Sequence, residues 1–356
     1  MSKCKSMVLE SPRIMRMHEF DIPEVAEGDM LLKVDLVGIC GGDPIEYEGR
    51  NRKVHYPLIL GHEMVGRIAK ISESLQRQGY SVGDRVSVEP YIVCGKCEFC
   101  LNSLYQFCET SRAYGVTISC KEPPHLYGAY GEYMYVDAGS KLHRISDGVP
   151  DEAACMASVL GNGVRWIRTL GNVKFGEAVV VIGPGAQGLV TIIAAKEAGA
   201  YPIIVTGKTR NPYKWDLAKE FGADFVVDCS EEDAPEAISQ ITNGRMAEVV
   251  VETTGAEAMM ELGVSLCRTA GRLVLAGTSG YAKNALTTDL IVFKELRVLG
   301  GLGQSWDTEI AVRIINSRKY PIEKMVTEVF PLEQAVEAME YYMNGKGGSI
   351  RVAIKP

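Results

Sequence analysis

The amino-acid sequence predicts an α/β protein in which one domain is a doubly wound parallel sheet and the other is mostly β. Three observations predict it. Residues 178–189, Ala-Val-Val-Val-Ile-Gly-Pro-Gly-Ala-Gln-Gly-Leu, read as a buried strand entering Gly-x-Gly-x-x-Gly and then a helix. From there to residue 300, apolar runs of strand length alternate strictly with helical patterns, as parallel strands joined by crossover helices require. Upstream, residues 94–108 carry four cysteines as C-x2-C-x2-C-x7-C, in a half whose segments read as short strands.

A length of 356 residues favours two domains over one. The expected division is 1–155 with 300–356 for the metal-bearing domain, its four-thiol lobe at 90–112, and 156–299 for the parallel sheet. A net charge of -7, with acids and bases interspersed and no basic stripe, excludes nucleic acid or an anionic membrane surface as the main partner. No apolar run approaches the roughly 20 residues that span a bilayer. The opening Met-Ser-Lys-Cys-Lys is no signal segment, so a cytoplasmic location with reduced thiols is expected.

Residues 5–36 read as short strands, with turns at Pro23 and at Gly28-Asp29. Then comes Gly38-Ile-Cys-Gly-Gly-Asp43, where a single Cys between glycines lets the backbone approach a ligand closely. Pro57-Leu-Ile-Leu-Gly-His-Glu-Met-Val-Gly-Arg-Ile68 plants His62 and Glu63 between two apolar strands, which is rare unless both side chains have partners. Cys40, His62 and Glu63 form a mixed sulfur, nitrogen and oxygen set suited to a catalytic zinc with one open position. Asp43 is placed to accept the second imidazole N–H. The rival reading is a satisfied buried His beside a surface Glu. Cys94, Cys97, Cys100 and Cys108 suit a closed structural zinc site, since a short Gly-Lys turn lets neighbouring thiolates converge.

In the second half, Gly183, Gly185 and Gly188, with Ala186 and Gln187 between them, permit a tight turn and close backbone approach to a pyrophosphate at the helix N-terminus. The helix is expected at Leu189–Ala198 and the second strand at Pro202–Thr206. Further helices are expected at 212–221, 235–241 and 257–267, and strands at 224–227, 248–252, 271–277 and 296–300. Thr254 and Gly277 end strands at the carboxyl edge, where such sheets bind ligands. NAD-selective sites usually carry an acid at the end of the second strand; here stands Thr206-Gly-Lys-Thr-Arg210. Gly207 removes the carboxylate, and Lys208, Thr209 and Arg210 offer a 2′-phosphate site, which favours NADP over NAD; a solvated basic turn is the alternative. Two amphipathic helices, 310–319 and 331–344, return the chain to the first domain.

Several motifs in order carry a resemblance over essentially the whole chain. Gly-Ile-Cys-Gly-Gly-Asp, Gly-His-Glu-x2-Gly, Val82-Gly-Asp-Arg-Val86, the four-thiol lobe, Gly128-Ala-Tyr-Gly-Glu-Tyr-Met-Tyr-Val136 and Gly348-Ser-Ile-Arg-Val-Ala-Ile-Lys-Pro356 are similar to those of the zinc-containing medium-chain alcohol dehydrogenases. The polyol, threonine and secondary-alcohol branches are nearest. The resemblance implies a Rossmann domain plus a GroES-like catalytic domain, one catalytic and one structural zinc per chain, and NADP or NAD. It implies hydride transfer between the cofactor and a small secondary alcohol or ketone, with zinc polarising the substrate oxygen, and a homo-oligomer, tetramer before dimer.

The chain also departs from that family. Around residues 157–159, where a further Cys, Asp or Glu is common, stand Ala157, Ser158 and Val159, with Cys155 out of register. The hydroxyl residue that relays the alcohol proton is replaced by Gly42, and the His two residues beyond the Asp by Ile45. Glu46, His55 or ordered water are the candidate substitutes. The missing relay keeps open a reductase of an activated C=C or C=N bond. A non-catalytic cofactor-binding protein is the third reading, and the intact Cys40, His62 and Glu63 set argues against it. Tyr47, His55, Tyr114, Tyr127 and Trp306 are candidate pocket-lining residues.

Overall fold

A computed structural model describes residues 3–51, 53–345 and 348–356. The chain divides into two units, Val159–Ala311 and the remainder, to Ser158 and from Val312. In Val159–Ala311, six parallel strands lie in the order Phe225–Asp228, Ile203–Gly207, Val179–Ile182, Ala247–Glu252, Cys267–Leu275, Arg297–Gly300. The first strand in sequence lies inside the sheet, with Val181 level with Val205 on one side and Val251 on the other. Strand order therefore reverses beside it, and that switch point opens a crevice at the carboxyl ends of the strands. Val179–Ile182 is wholly buried, which explains its unbroken apolar run.

The expected alternation is present, with shifted ends. The helix after the glycine motif starts at Ala186 rather than Leu189, because Gly185 is already its extended N-terminal cap. Cys267 begins a strand instead of ending a helix. Among the helices that the sequence left uncalled is Ala157–Val164, continuing as a wider turn over Arg165–Leu170. Gly161-Asn-Gly163 carries residues common in turns. A Cβ at Gly163, however, would stand 2.8 Å from the Val190 carbonyl oxygen, so this glycine serves close packing against the helix Ala186–Glu197.

The other unit is built on an eight-stranded sheet and a smaller three-stranded one. Met30–Gly38 lies between Glu63–Ile71 and the C-terminal strand Arg351–Lys355, and also pairs with Tyr133–Val136. Its inward residues Leu32, Val34 and Val37 pack with Met64, Ile68, Met134, Val352 and Ile354 in one core. The registers bring distant residues level: Gly38 pairs with Glu63 on one side and with Ala353 on the other. Two residues beyond Gly38 comes Cys40, and then a five-residue helix, Asp43–Tyr47, opened by Pro44 in its first turn, where a missing N–H costs nothing. Among the described residues no helix is long and apolar enough to cross a membrane.

Candidate metal and cofactor sites

Cys40, His62 and Glu63 converge: one potential ligand atom from each lies within 4.8 Å of the others. Local geometry explains how. Gly61 has φ +92°, and a Cβ there would strike the Tyr130 ring at 2.4 Å, so the turn that presents His62 requires glycine. A Cβ at Gly38, across the ladder, would stand 3.0 Å from Glu63 Oε2, so that glycine clears room for the carboxylate. Asp43, fully buried, accepts hydrogen bonds from the Cys40 backbone N–H and from the Tyr130 hydroxyl, both at 2.9 Å through Oδ2. Its Oδ1 faces His62 Nδ1 at 3.6 Å, and neither atom has a hydrogen-bond partner among the described residues. The other imidazole nitrogen is left for a ligand.

The electrostatics of this cluster suit a divalent cation. Burial, then Glu63 and Asp43, push the Cys40 thiol well above its ordinary pKa. Burial pushes Asp43 up to about 6, against the opposing pull of His62. Arg351, 2% exposed, donates to Glu63 Oε2; burial lowers its pKa, but the Glu63 charge outweighs that and keeps it a cation. Cys40, Asp43 and Glu63 thus hold more acidic groups than Arg351 alone neutralises, and thiolate, imidazole and carboxylate are the donors zinc takes. The residues present fit the metal. Arg351 and Tyr130 escaped the sequence reading; the one available signal was a lone Arg in the apolar run 350–354, since a buried cation demands a partner. Cys155 is buried and donates to the Glu152 carbonyl at 3.4 Å, outside the convergent set.

The thiols of Cys94, Cys97, Cys100 and Cys108 also lie within 4.8 Å of one another. Backbone N–H groups point at sulfur, Cys94 N to Cys108 Sγ at 3.3 Å and Cys97 N to Cys94 Sγ at 3.4 Å, as thiolate sites require. Gly95, at φ +69°, makes the turn between the first two cysteines.

In Val159–Ala311 the glycine motif has the close approaches that nucleotide-binding turns need. A Cβ on Gly188 would lie 1.8 Å from the Gly183 carbonyl oxygen, and one on Gly183 would lie 2.7 Å from Thr254 Cγ2. Around Gly185 there is open space, as a ligand phosphate would need. Gln187 Oε1 is buried without a partner among the described residues. Gly277 packs on the Thr254–Gly255 backbone, where a Cβ would lie 2.0 Å from Gly255 N. Glu252, fully buried, shapes that turn by accepting from the backbone N–H groups of Thr254 and Gly255. Gly207 ends the second strand at φ +150°, with Lys208 and Arg210 exposed just beyond it.

Three pocket-lining expectations are corrected. Tyr47, Tyr114 and Tyr127 belong to the core, and their hydroxyls meet Arg13 O, Ser140 Oγ and Pro123 O. His55 and Trp306 are exposed.

Residues 26–147 match the family of alcohol dehydrogenase GroES-like domains, and residues 186–317 match that of zinc-binding dehydrogenases. The chain is similar to a probable alcohol dehydrogenase of Mycobacterium tuberculosis, with 36% identity over 94% of this chain and 93% of that one. It is 33% identical to an L-threonine 3-dehydrogenase of Pyrococcus furiosus, over 95% and 94% of the two chains. Among solved structures it is similar to a zinc-binding dehydrogenase of Sinorhizobium meliloti bound to NADP, with a TM-score of 0.89, 27% identity and full coverage of both chains. The chain therefore belongs to the zinc-containing medium-chain alcohol dehydrogenases, nicotinamide-dependent enzymes that move a hydride between an alcohol and a ketone.

Proposed function

We propose that the protein is a cytoplasmic, homo-oligomeric dehydrogenase that prefers NADP over NAD and oxidises a small secondary alcohol at a zinc held by Cys40, His62 and Glu63. The observation that carries this is the convergence of those three side chains, with the second nitrogen of His62 turned to Asp43. Zinc bound there supplies Lewis acidity toward the substrate oxygen, and the nicotinamide accepts the hydride. Asp43 holds the His62 ring, Tyr130 holds Asp43, and Arg351 holds Glu63. Cys94, Cys97, Cys100 and Cys108 hold a second zinc whose closed thiolate set has no chemical role. Gly183, Gly185, Ala186, Gln187 and Gly188 cradle the pyrophosphate, with Thr254 and Gly277 at the neighbouring strand ends. Gly207, Lys208 and Arg210 take the adenosine 2′-phosphate, the reading supported by the NADP bound to the Sinorhizobium relative.

The test is reduced-cofactor absorbance with zinc-replete protein, crossing NADP and NAD with secondary alcohols, polyols, amino alcohols and conjugated carbonyls. Turnover of a secondary alcohol with higher kcat/KM for NADP is expected. Lys208→Ala with Arg210→Ala should lower kcat/KM for NADP at least about tenfold and leave NAD within twofold. Activity confined to conjugated carbonyls or imines refutes the dehydrogenase reading, and equal loss with both cofactors refutes the phosphate site.

A further inference from the structure

We infer that Glu46 is the proton acceptor for the alcohol, standing in for the hydroxyl that Gly42 lacks; the inference rests on the dehydrogenase reading above. Glu46 lies on the helix Asp43–Tyr47 and is 5% exposed. Its two carboxylate oxygens have different fates. Oε1 accepts a hydrogen bond from Asn51 Nδ2 at 2.8 Å, while Oε2 is buried with no partner among the described residues. A buried carboxylate oxygen without a donor is unfavourable, so an empty acceptor site calls for an occupant.

The aim of Oε2 identifies that occupant. A Cβ placed on Gly42 would stand 3.6 Å from Glu46 Oε2 and 3.9 Å from Cys40 Sγ, with no other outside atom within 4 Å. The space a serine or threonine side chain would fill at position 42 is therefore bounded by a sulfur of the proposed zinc set and by the unpartnered carboxylate oxygen. A substrate hydroxyl, or one water in contact with it, placed in that space comes within hydrogen-bonding reach of Oε2.

The rival acceptors fail on position or chemistry. His55 is exposed, and Ile45 carries no titratable group. Asp43 spends Oδ2 on the Cys40 N–H and the Tyr130 hydroxyl and turns Oδ1 to His62. Among the described residues, the titratable groups that act on Glu46 are Asp43 on its own helix and Tyr56 from the following loop. The Tyr56 hydroxyl donates to the Glu46 backbone oxygen at 2.6 Å and fixes the end of the helix. Asn51 and Tyr56 thus leave the residue one free oxygen in a fixed place.

The step balances. The alcohol O–H bond breaks and its proton bonds to Glu46 Oε2; the electron pair it leaves on oxygen forms the C=O bond. The carbon loses its hydrogen with both electrons to nicotinamide C4, so the alcohol is oxidised and the cofactor reduced. In the reverse direction Glu46 returns the proton.

The experiment uses zinc-replete full-length protein and the variants Glu46→Gln, Glu46→Asp, Gly42→Ser and Gly42→Ser/Glu46→Gln. Wild-type turnover of a secondary alcohol is the first arm; its absence overturns the dehydrogenase reading and the inference together. In an active enzyme, Glu46→Gln is expected to lower kcat for alcohol oxidation about 10²- to 10⁴-fold and to abolish the acidic limb of its pH profile. Glu46→Asp, which keeps the charge but shortens the reach, should retain the limb at an intermediate rate. Gly42→Ser/Glu46→Gln should stay as slow as Glu46→Gln, because a serine hydroxyl passes a proton on and does not keep it. A readout without turnover is the affinity of the cofactor complex for trifluoroethanol, followed by fluorescence. In the wild type that affinity is expected to fall as pH drops, and in Glu46→Gln to fall less. Unchanged kcat with an intact acidic limb in Glu46→Gln overturns the assignment and leaves the dehydrogenase reading standing. A raised KM confined to amine-bearing alcohols, with kcat kept, also overturns it, because Glu46 would then recognise a cation.

Discussion

Replacing Arg351 with methionine tests how the cluster around Glu63 is held together. The two side chains are 2% and 4% exposed and form a direct ion pair. Methionine is close to arginine's stem in length and apolar, so the change removes charge and donor with little loss of packing. Glu63 is then left as a buried carboxylate without its counter-ion, a change that costs about 3–5 kcal/mol in buried pairs. Adding Glu63→Gln removes the stranded charge, and the double variant should recover at least about 1 kcal/mol relative to Arg351→Met alone. The assay is urea unfolding read by far-UV circular dichroism. Tryptophan fluorescence is the wrong probe: Trp166, Trp215 and Trp306 all lie in Val159–Ala311, whereas Arg351 and Glu63 lie in the other unit. If Glu63 holds zinc as proposed, chelator-treated protein shows the larger loss, because the metal supplies part of the missing positive charge. A destabilisation below about 1 kcal/mol, or a double variant no more stable than Arg351→Met, refutes the reasoning.

Two further outcomes are expected. Gly188→Ala forces a methyl group to within 1.8 Å of the Gly183 carbonyl oxygen, so the turn must open; the cofactor Kd, by fluorescence titration of the reduced form, should rise at least about tenfold. An unchanged Kd would show that the turn does not hold the pyrophosphate. Cys100→Ser removes one of four convergent thiols, and metal analysis should find zinc fall from two ions per chain to one. Retention of two refutes the closed lobe.

Much of the fold was legible in the sequence because its signals are local. The strand, glycine motif and helix at 178–197 follow from apolar runs and from turns only glycine can make, all within one stretch of chain. The thiols of residues 94–108 are brought together by turns of a few residues, so spacing alone foretold their convergence. Local reading failed where one signal had two meanings. Gly161-Asn-Gly163 carries residues common in turns but lies in a helix, since a glycine that frees the backbone and one that admits a neighbour are identical in sequence.

By itself the sequence determined the alternating α/β architecture, the glycine turn and the two groups of side chains that converge as metal ligands would, because residue type, spacing and backbone preference suffice for each. Tertiary structure alone decided which partners surround them. Arg351 reaches Glu63 across 288 residues because Glu63–Ile71 and Arg351–Lys355 flank Met30–Gly38 in registers set at Gly38, and Tyr130, whose backbone N–H donates to Leu60 O, reaches Asp43 across 87. It also decided that Tyr47, Tyr114 and Tyr127 belong to the core and that one oxygen of Glu46 is aimed at the space beside Gly42. Alternation along a strand tells which of its side chains share a face; only pairing with distant strands fixes what that face meets.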